Sequence, residues 1–291
     1  MNAQRALLAG IVDYAGLFPP AALSVPEAVR HYAECCADRS SWMLGRFVVP
    51  VGRLREAAAQ WTNYGQLAGR LHMSAVLGAD LGGDIARLHA FNDAADGDAV
   101  VDSMEVRLDA ADAIASAADA RRDVELFVEI PSASDPAPLI TAIRDAGAHA
   151  KIRMGGLTED VFPAAHDVVQ FVRACSEGRV SFKATAGLHH PLRSEYRLTY
   201  DQASACASMY GFLNVFLAAA FLHAGMDEER VEQVLLERDP ATFHWAADCV
   251  SWHEHSLSAS RIVDARGLAR SFGSCSFREP VDELQTIGLL A

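Results

Sequence analysis

Lysine is nearly missing from this chain of 291 residues: 23 of its 25 basic residues are arginine, and only Lys151 and Lys183 are lysine. An arginine guanidinium stays protonated in proteins, whereas a desolvated lysine ammonium can lose its proton and become a nucleophile. Arginine can therefore replace lysine wherever only positive charge is needed. The two remaining lysines are predicted to lie where an amine is required, although ordinary buried ion pairs would also explain them.

The sequence also lacks the features of several other classes of protein. Its net charge of −13 provides no basic field for a phosphate backbone, so nucleic-acid binding is not expected. Residues 1–16 contain no long apolar stretch followed by a small-residue cleavage site, so no secretory signal is predicted. The six cysteines form no CxxC pair or regular framework, which is typical of reduced thiols and predicts a cytoplasmic protein.

One apolar segment, residues 205–222, is long enough to suggest a membrane span, but it is interrupted by Ser208, Tyr210, Gly211 and Asn214. A helix that is apolar all round is more often buried inside a large fold or an oligomer interface. We therefore expect no membrane contact, and a homo-oligomer through the 205–222 helix is one expectation.

Strand-like and helix-like patterns alternate along the whole chain, which indicates a parallel sheet built from βα units. Eight such units predict a single (β/α)8 TIM-type barrel over residues 1–291, and the helix after the seventh strand is expected around 203–225. A doubly wound open sheet is the alternative, but no GxGxxG follows the first strand. The alternation breaks within 226–270, where residues 243–257 suggest two short strands, so a β-hairpin insertion is predicted at 240–266, before the last strand.

Charged residues at the carboxyl ends of the predicted strands form the candidate site, because barrel enzymes assemble their active sites there. Residues two apart in a strand share a face, and the interior positions are Glu105, Arg107, Glu129, Lys151, Arg153 and Lys183. Four cations against two anions predict a small anionic substrate with a carboxylate or a phosphate. A neighbouring cation also lowers the pKa of an amine from about 10.4 toward neutrality. A salt-bridge network that only stabilises the barrel is the alternative.

Two segments, Lys151-Ile-Arg-Met-Gly-Gly and Lys183-Ala-Thr-Ala-Gly, resemble the sixth and seventh strands of deoxyribose-phosphate-type class I aldolases. The resemblance implies that Lys151 forms the Schiff base with the carbonyl substrate and that Lys183 tunes its pKa. It also implies that Gly155, Gly156 and Gly187 let backbone amides approach an anion. The central-strand aspartate of that family is not matched in the sequence.

Further side chains are expected around the same pocket. His189 and His190 follow the seventh strand, where a loop histidine can act as an acid or base near neutral pH. Cys275, beside Ser274 at the end of the eighth strand, is a second candidate nucleophile. The residues predicted to bind substrate are Asp13, Arg107, Arg153, Gly155, Gly156, Thr185, Gly187, His190 and Ser274.

These features together predict an aldolase-like carbon–carbon lyase that acts through a lysine Schiff base, without metal or cofactor. The predicted catalytic residues are Lys151, Lys183, Glu105, Glu129 and His189. Two other functions remain open. One is a metal-assisted lyase, isomerase or hydrolase with glutamate and histidine ligands, although no HxH or HExxH spacing is present. The other is a non-catalytic barrel that binds a small acid or serves as a subunit of an assembly.

Overall fold

The computed structural model describes residues 2–64, 69–94 and 97–290, and its centre is a closed barrel of eight parallel strands. The barrel strands are β1 Val12–Tyr14, β2 Leu44–Pro50, β3 Leu71–Val76, β4 Ala99–Arg107, β5 Glu125–Glu129, β6 His149–Arg153, β7 Phe182–Thr185 and β13 Ala269–Ser274. Neighbouring strands follow the order of the chain, and β13 closes the barrel between β7 and β1. The predicted (β/α)8 barrel is therefore confirmed, while the division of the chain into a single domain stays a prediction.

Helices cover the outside of the barrel in the part of the chain that the structure describes. They are α1 Ala3–Leu8, α2 Val25–Cys36, α3 Leu54–Trp61, α4 Leu81–Ala94, α5 Ala111–Ala120, α6 Ala137–Asp145, α7 Ala165–Gly178, α8 Phe212–His223, α9 Glu228–Leu236, α10 Ala259–Leu268 and α11 Arg278–Thr286. Local sequence sets where they begin. At α2, the Glu27 carboxylate accepts from the backbone amide of Ser24, and the Ser24 side chain accepts from the backbone amide of Glu27, which together form a capping box.

Strand β5 shows how the sequence separates the barrel interior from the outer core. Leu126 and Val128 are fully buried in the main hydrophobic cluster. Of the alternating residues, Glu125 bonds to Arg46 of β2 across the barrel, and Glu129 bonds to Lys151 of the neighbouring strand β6. The same alternation carries Lys151 and Lys183 inward on β6 and β7, where the two residues are register partners.

Two small antiparallel sheets interrupt the βα alternation. The predicted insertion before the last barrel strand is present, but it has three strands rather than two: β10 Phe243–Trp245, β11 Cys249–Trp252 and β12 His255–Ser258. The final part of the predicted 240–266 range belongs to α10. The other sheet pairs β8 Ser194–Arg197 with β9 Cys206–Met209, and it is not among the elements predicted from the sequence.

The apolar segment 205–222 is therefore not one helix. Its first part is β9, and α8 begins only at Phe212, after Gly211. Gly211 allows a close approach, because a Cβ there would lie 2.2 Å from the carbonyl oxygen of Pro191. The buried Asn214 of α8 accepts from the amide of Arg193 at 2.8 Å and donates to backbone carbonyls at the end of α9.

The apolar character of α8 is explained by burial within its own chain, since α7, α9 and α10 pack against it. An oligomer through this helix stays a prediction. Among the described residues, each helix is too short or too polar to cross a bilayer.

Candidate active site

Lys183 lies between two carboxylates inside the barrel. Its Nζ is 2.6 Å from Asp13 Oδ2 of β1 and 2.6 Å from Glu105 Oε1 of β4, and the side chain is only 1% exposed. Burial disfavours the ammonium, but the two carboxylates outweigh burial and raise the pKa of Lys183 above its ordinary value. Lys183 therefore keeps its proton at neutral pH.

Lys151 continues this arrangement with a second pair of carboxylates. Its Nζ lies 2.8 Å from Glu105 Oε2 and 3.0 Å from Glu129 Oε2, and Arg153 Nε lies 3.1 Å from Glu129 Oε1. Charges of opposite sign thus alternate across the barrel in one chain of contacts, which we call the charge ladder. Its members, in order, are Asp13, Lys183, Glu105, Lys151, Glu129 and Arg153.

The ladder contains three cations and three anions, so the predicted excess of cations is not present in it. Asp13, predicted to bind substrate, instead pairs with Lys183 and does not line the cavity described below. Arg107 lies two residues beyond Glu105, at the very end of β4, and its side chain is exposed. It makes no ion pair or hydrogen bond with the described residues, so its predicted contact with substrate is not supported.

Hydrogen bonds hold the carboxylates of the ladder in place. Glu105 Oε1 accepts from Ser74 Oγ at 2.7 Å, and Asp13 accepts from Ser271 Oγ at 2.7 Å and from the amide of Arg46 at 2.8 Å. Burial opposes ionisation of Glu105, but the lysines outweigh burial and hold the pKa of this carboxyl well below its usual range. The pKa of Glu129 is lowered in the same way by Lys151 and Arg153, despite its burial.

A cavity of about 500 Å³ opens at the carboxyl ends of the strands, and Glu105, Lys151 and Lys183 line it. Of the other predicted residues, Arg153, Gly156, Thr185, Gly187, His189 and His190 line it too. Much of the remaining wall is apolar or aromatic, and it includes Phe18, Pro20, Val48, Val76, Leu157, Leu198 and Met209. A cavity of this size, with a few convergent polar groups in an apolar wall, is typical of small-molecule sites.

His189 is buried in the wall of the cavity. Its Nδ1 lies 3.2 Å from Ser274 Oγ and 3.7 Å from Cys275 Sγ. Burial, with a smaller contribution from His190, lowers the pKa of His189 to about 4. The imidazole is therefore neutral at pH 7 and can accept a proton. Ser274 contacts His189 but does not line the cavity.

His190 is held on both sides. Its Nδ1 lies 2.7 Å from Glu283 Oε1, and its ring stacks on Tyr196 with the ring centroids 3.5 Å apart. Cys275 is a poor nucleophile in this setting, since burial raises the pKa of its thiol.

The glycines after β6 and β7 are explained by close packing rather than by an anion. A Cβ on Gly155 would lie 2.3 Å from the ring of Phe162, and one on Gly187 would lie 3.0 Å from the Cα of Gly155. Gly187 also has a φ of +67°, a conformation that favours glycine. Gly156 and Gly187 do reach the cavity, whereas Gly155 does not line it.

Sequence reasoning missed several cavity residues, including those of two elements. Strand β8 and the residues that follow it supply Tyr196, Arg197, Leu198, Thr199 and Tyr200, and the first turn of α11 supplies Glu279. The alternating run from Glu195 to Tyr200 is the available signal for β8. A helix over the whole apolar segment that follows, as predicted, leaves β8 without a partner strand.

The metal-assisted alternative would use glutamate ligands, but Glu105 and Glu129 are both paired with lysine ammonium groups. In the described part of the chain, one group has ligand atoms close enough to hold a metal ion. His190, Glu279 and Glu283 place theirs within 4.8 Å of one another. His190 and Glu279 also line the cavity.

Comparison of the chain with protein-family models and with curated protein sequences gives no match. The geometry of the site is therefore the basis on which a function is assigned.

Proposed function

We propose that this protein is a carbon–carbon lyase that forms a Schiff base between Lys151 and a small anionic carbonyl substrate. One observation carries the proposal. The only two lysines of the chain contact opposite oxygens of Glu105, and all three side chains line one cavity at the carboxyl ends of the barrel strands. This is the end of a (β/α)8 barrel at which active sites are built.

The contacts of the two lysines favour Lys151 as the nucleophile. Lys183 has Asp13 as a carboxylate that no other cation of the ladder shares, and its raised pKa keeps it protonated. Lys151 shares Glu105 with Lys183 and Glu129 with Arg153. Each carboxylate that contacts Lys151 therefore also contacts another cation, whereas among the cations of the ladder Asp13 contacts Lys183 alone.

Access to the cavity agrees with this assignment. The Lys151 side chain is 7% exposed and that of Lys183 is 1% exposed. Lys183 then serves as a positioning residue that holds Glu105, while Lys151 reaches the substrate. The carboxylate on a central strand that the aldolase resemblance requires is supplied by Glu105 of β4.

The chemistry follows from these positions. The Lys151 ammonium releases a proton to water in the cavity, its neutral amine attacks the carbonyl carbon, and a proton taken back from water turns the carbinolamine hydroxyl into the leaving water. Water leaves, and the resulting iminium draws electrons from the adjacent carbon–carbon bond. That bond breaks to give an enamine on Lys151 and a free carbonyl product, while neutral His189 accepts the proton released from the substrate hydroxyl. Protonation of the enamine and hydrolysis of the iminium return the free amine.

Reductive trapping tests this proposal directly. The protein is incubated with small aldehydes and oxo acids in the presence of cyanoborohydride, and the modified peptide is identified by mass spectrometry. We expect the adduct on Lys151 and not on Lys183. The exposed Arg55 offers a matched control, since the Arg55→Lys variant carries a surface amine outside the cavity. Absence of any adduct, or labelling of that surface amine to the same extent as Lys151, would overturn the proposal.

A second candidate function, metal-assisted catalysis, is favoured by the group formed by His190, Glu279 and Glu283. The Glu283→Gln variant distinguishes the two functions. Glu283→Gln should leave reductive labelling of Lys151 intact if the Schiff-base proposal holds. A tightly bound divalent ion in the purified protein, together with activity that a chelator and Glu283→Gln both remove, would favour the metal instead.

A further inference from the structure

Charged side chains of both signs line the cavity mouth. Arg153 ends β6, Arg197 ends β8, and both line the cavity. Glu279, in the first turn of α11, also lines the cavity, and the hydroxyl of Tyr200, three residues after Arg197, lies 3.4 Å from its Oε2. A bound anion would be attracted by the two arginines and repelled by the Glu279 carboxylate.

Packing places the β8–β9 sheet, which carries Arg197, beside the loop that follows β6. Leu198 and Met209 of the β8–β9 sheet pack against Phe162, in the loop that follows β6. Tyr210, just after β9, donates a hydrogen bond to the carbonyl of Pro163 in the same loop at 2.9 Å. The β8–β9 sheet thus covers the carboxyl end of β6.

Both arginines keep donors for a ligand. Glu129 takes only the Nε of Arg153, at 3.1 Å, and the terminal nitrogens of this half-exposed guanidinium make no hydrogen bond to the described residues. Arg197 has no carboxylate partner in the described ranges, and its Nη1 donates only to the carbonyl of Ser204 at 3.2 Å. Planar guanidinium groups of this kind bind carboxylates in a bidentate manner.

The place where (β/α)8 enzymes often bind phosphate is unsuited to it here. That place is formed by the loops after the seventh and eighth strands and a helix N-terminus. In this chain the amides of Ser276 and Glu279 already donate to Ser274 Oγ and Ser276 Oγ, at 3.3 and 3.1 Å. The Glu279 carboxyl group would also face a phosphate dianion placed there.

We propose that the substrate is an unphosphorylated oxo acid, with its carbonyl at Lys151 and its carboxylate at Arg153 and Arg197. The apolar part of such a molecule would contact Leu157, Leu198 and Met209, which line the cavity. This inference rests on the proposed function, since it takes Lys151 as the group that meets the carbonyl. It goes further by selecting carboxylate over phosphate and by assigning the specificity to a residue of the β8–β9 sheet.

Two pairs of probes test the inference in the reductive labelling assay. The first pair is 4-oxopentanoate and its neutral amide, and the second is glyceraldehyde 3-phosphate and glyceraldehyde. Each pair gives a ratio of concentrations for half-maximal labelling of Lys151. We expect the carboxylate to label at a concentration about 10- to 100-fold lower than its amide. The phosphate should give no advantage over glyceraldehyde.

Variants of Arg197 make the test specific. Arg197→Gln should reduce the carboxylate preference about 10-fold, while Arg197→Lys, which keeps the charge but loses the bidentate fork, should retain only part of it. Arg55→Gln on the exposed surface of α3 should change nothing. A preference for the phosphate, or an unchanged carboxylate preference in Arg197→Gln, would overturn this inference while leaving Lys151 as the nucleophile. Failure of all four probes to label Lys151 would overturn the proposed function with it.

Discussion

Two groups of charged side chains cross the inside of this barrel, and they differ in the kind of cation they use. The charge ladder, at the carboxyl ends of the strands, places Lys183 and Lys151 between carboxylates and has an arginine only at its half-exposed end. A second group, which we call the lower cluster, uses Arg46 and Arg270 for the same purpose. Both groups pair cations with carboxylates, yet lysine occurs in only one of them.

The lower cluster lies toward the amino ends of the strands. Arg46 places Nε 2.6 Å from Asp102 and Nη2 2.6 Å from Glu125, and Arg270 lies 3.1 Å from Glu125. His72 and His149 contact the same carboxylates. These acidic side chains are 31% exposed, against 2% for Glu105.

The difference agrees with the proposed function. In the lower cluster a guanidinium joins two carboxylates at once, which is what a planar fork of donors does well. A guanidinium could also neutralise Glu105 and Asp13, so charge alone does not require lysine in the ladder. An amine is kept where the ladder meets the cavity, and only an amine can lose a proton and attack a carbonyl group.

Removing one carboxylate from each group should give the largest difference in stability. Glu105→Gln leaves two buried lysines with one carboxylate each, and breaking a buried pair costs about 3–5 kcal/mol of unfolding free energy. Glu125→Gln, in the more exposed cluster, should cost about 1 kcal/mol. Urea denaturation at pH 7 measures both. Equal losses for the two variants would mean that burial does not distinguish the groups.

Lowering the pH should reduce the stability of the fold more through His189 than through His149 of the lower cluster. The pKa of His189 is lowered to about 4 by burial and by His190. Because the unfolded chain then takes up the proton first, stability falls as the pH drops from 6.5 toward 4, by up to about 3 kcal/mol. His189→Gln should remove this loss, as seen in unfolding free energies at pH 7 and pH 4.5.

His149→Gln provides the comparison. Burial also lowers the pKa of His149, but Glu125 opposes the shift. We therefore expect this variant to flatten the acid dependence less than His189→Gln does. If His149→Gln flattened the acid dependence more than His189→Gln, the cavity histidine would be better solvated than its burial indicates.

The stability gap between the wild type and Glu105→Gln should itself depend on pH. The lysines outweigh burial and depress the pKa of Glu105, so its stabilisation is present above the unfolded value of about 4.3 and is lost as the pH falls toward the folded value. The gap should narrow by about 2 kcal/mol between pH 5 and pH 3. A constant gap over this range would contradict the ion pairs of the ladder.

The smallest effect is expected from Arg46→Lys. An ammonium keeps the charge between Asp102 and Glu125 but loses the fork, so less than about 1 kcal/mol of stability should be lost. The rate of reductive labelling at Lys151 should stay within about 2-fold of the wild type, because the lower cluster does not reach the cavity. A large fall in that rate would show that the lower cluster also affects Lys151, and the two groups would then not differ in function.

Strand alternation is enough to place several side chains of the ladder. It identifies Glu105, Glu129, Lys151 and Lys183 as interior residues near strand ends, and all four contact one another in sequence. Alternation gives the face of a strand but not the depth along it, which is why it also predicts Arg107 in the site although this side chain lies in solvent.

Sequence patterns do not show which residues of distant strands contact one another. Asp13 is expected from the sequence to bind substrate, because nothing there shows that β1 faces Lys183 across the barrel. The β8–β9 sheet is missed because β9 and α8 form one continuous apolar run, and only Gly211 marks the boundary between them.

The central claim is that the amine of Lys151, and not only its charge, is required. Lys151→Arg keeps a cation between Glu105 and Glu129, and urea denaturation can establish that the variant is folded. Reductive labelling of that folded variant with an oxo acid is the most direct measurement. The account predicts no adduct on any residue of the barrel interior, including Lys183. An adduct formed at the wild-type rate would contradict it.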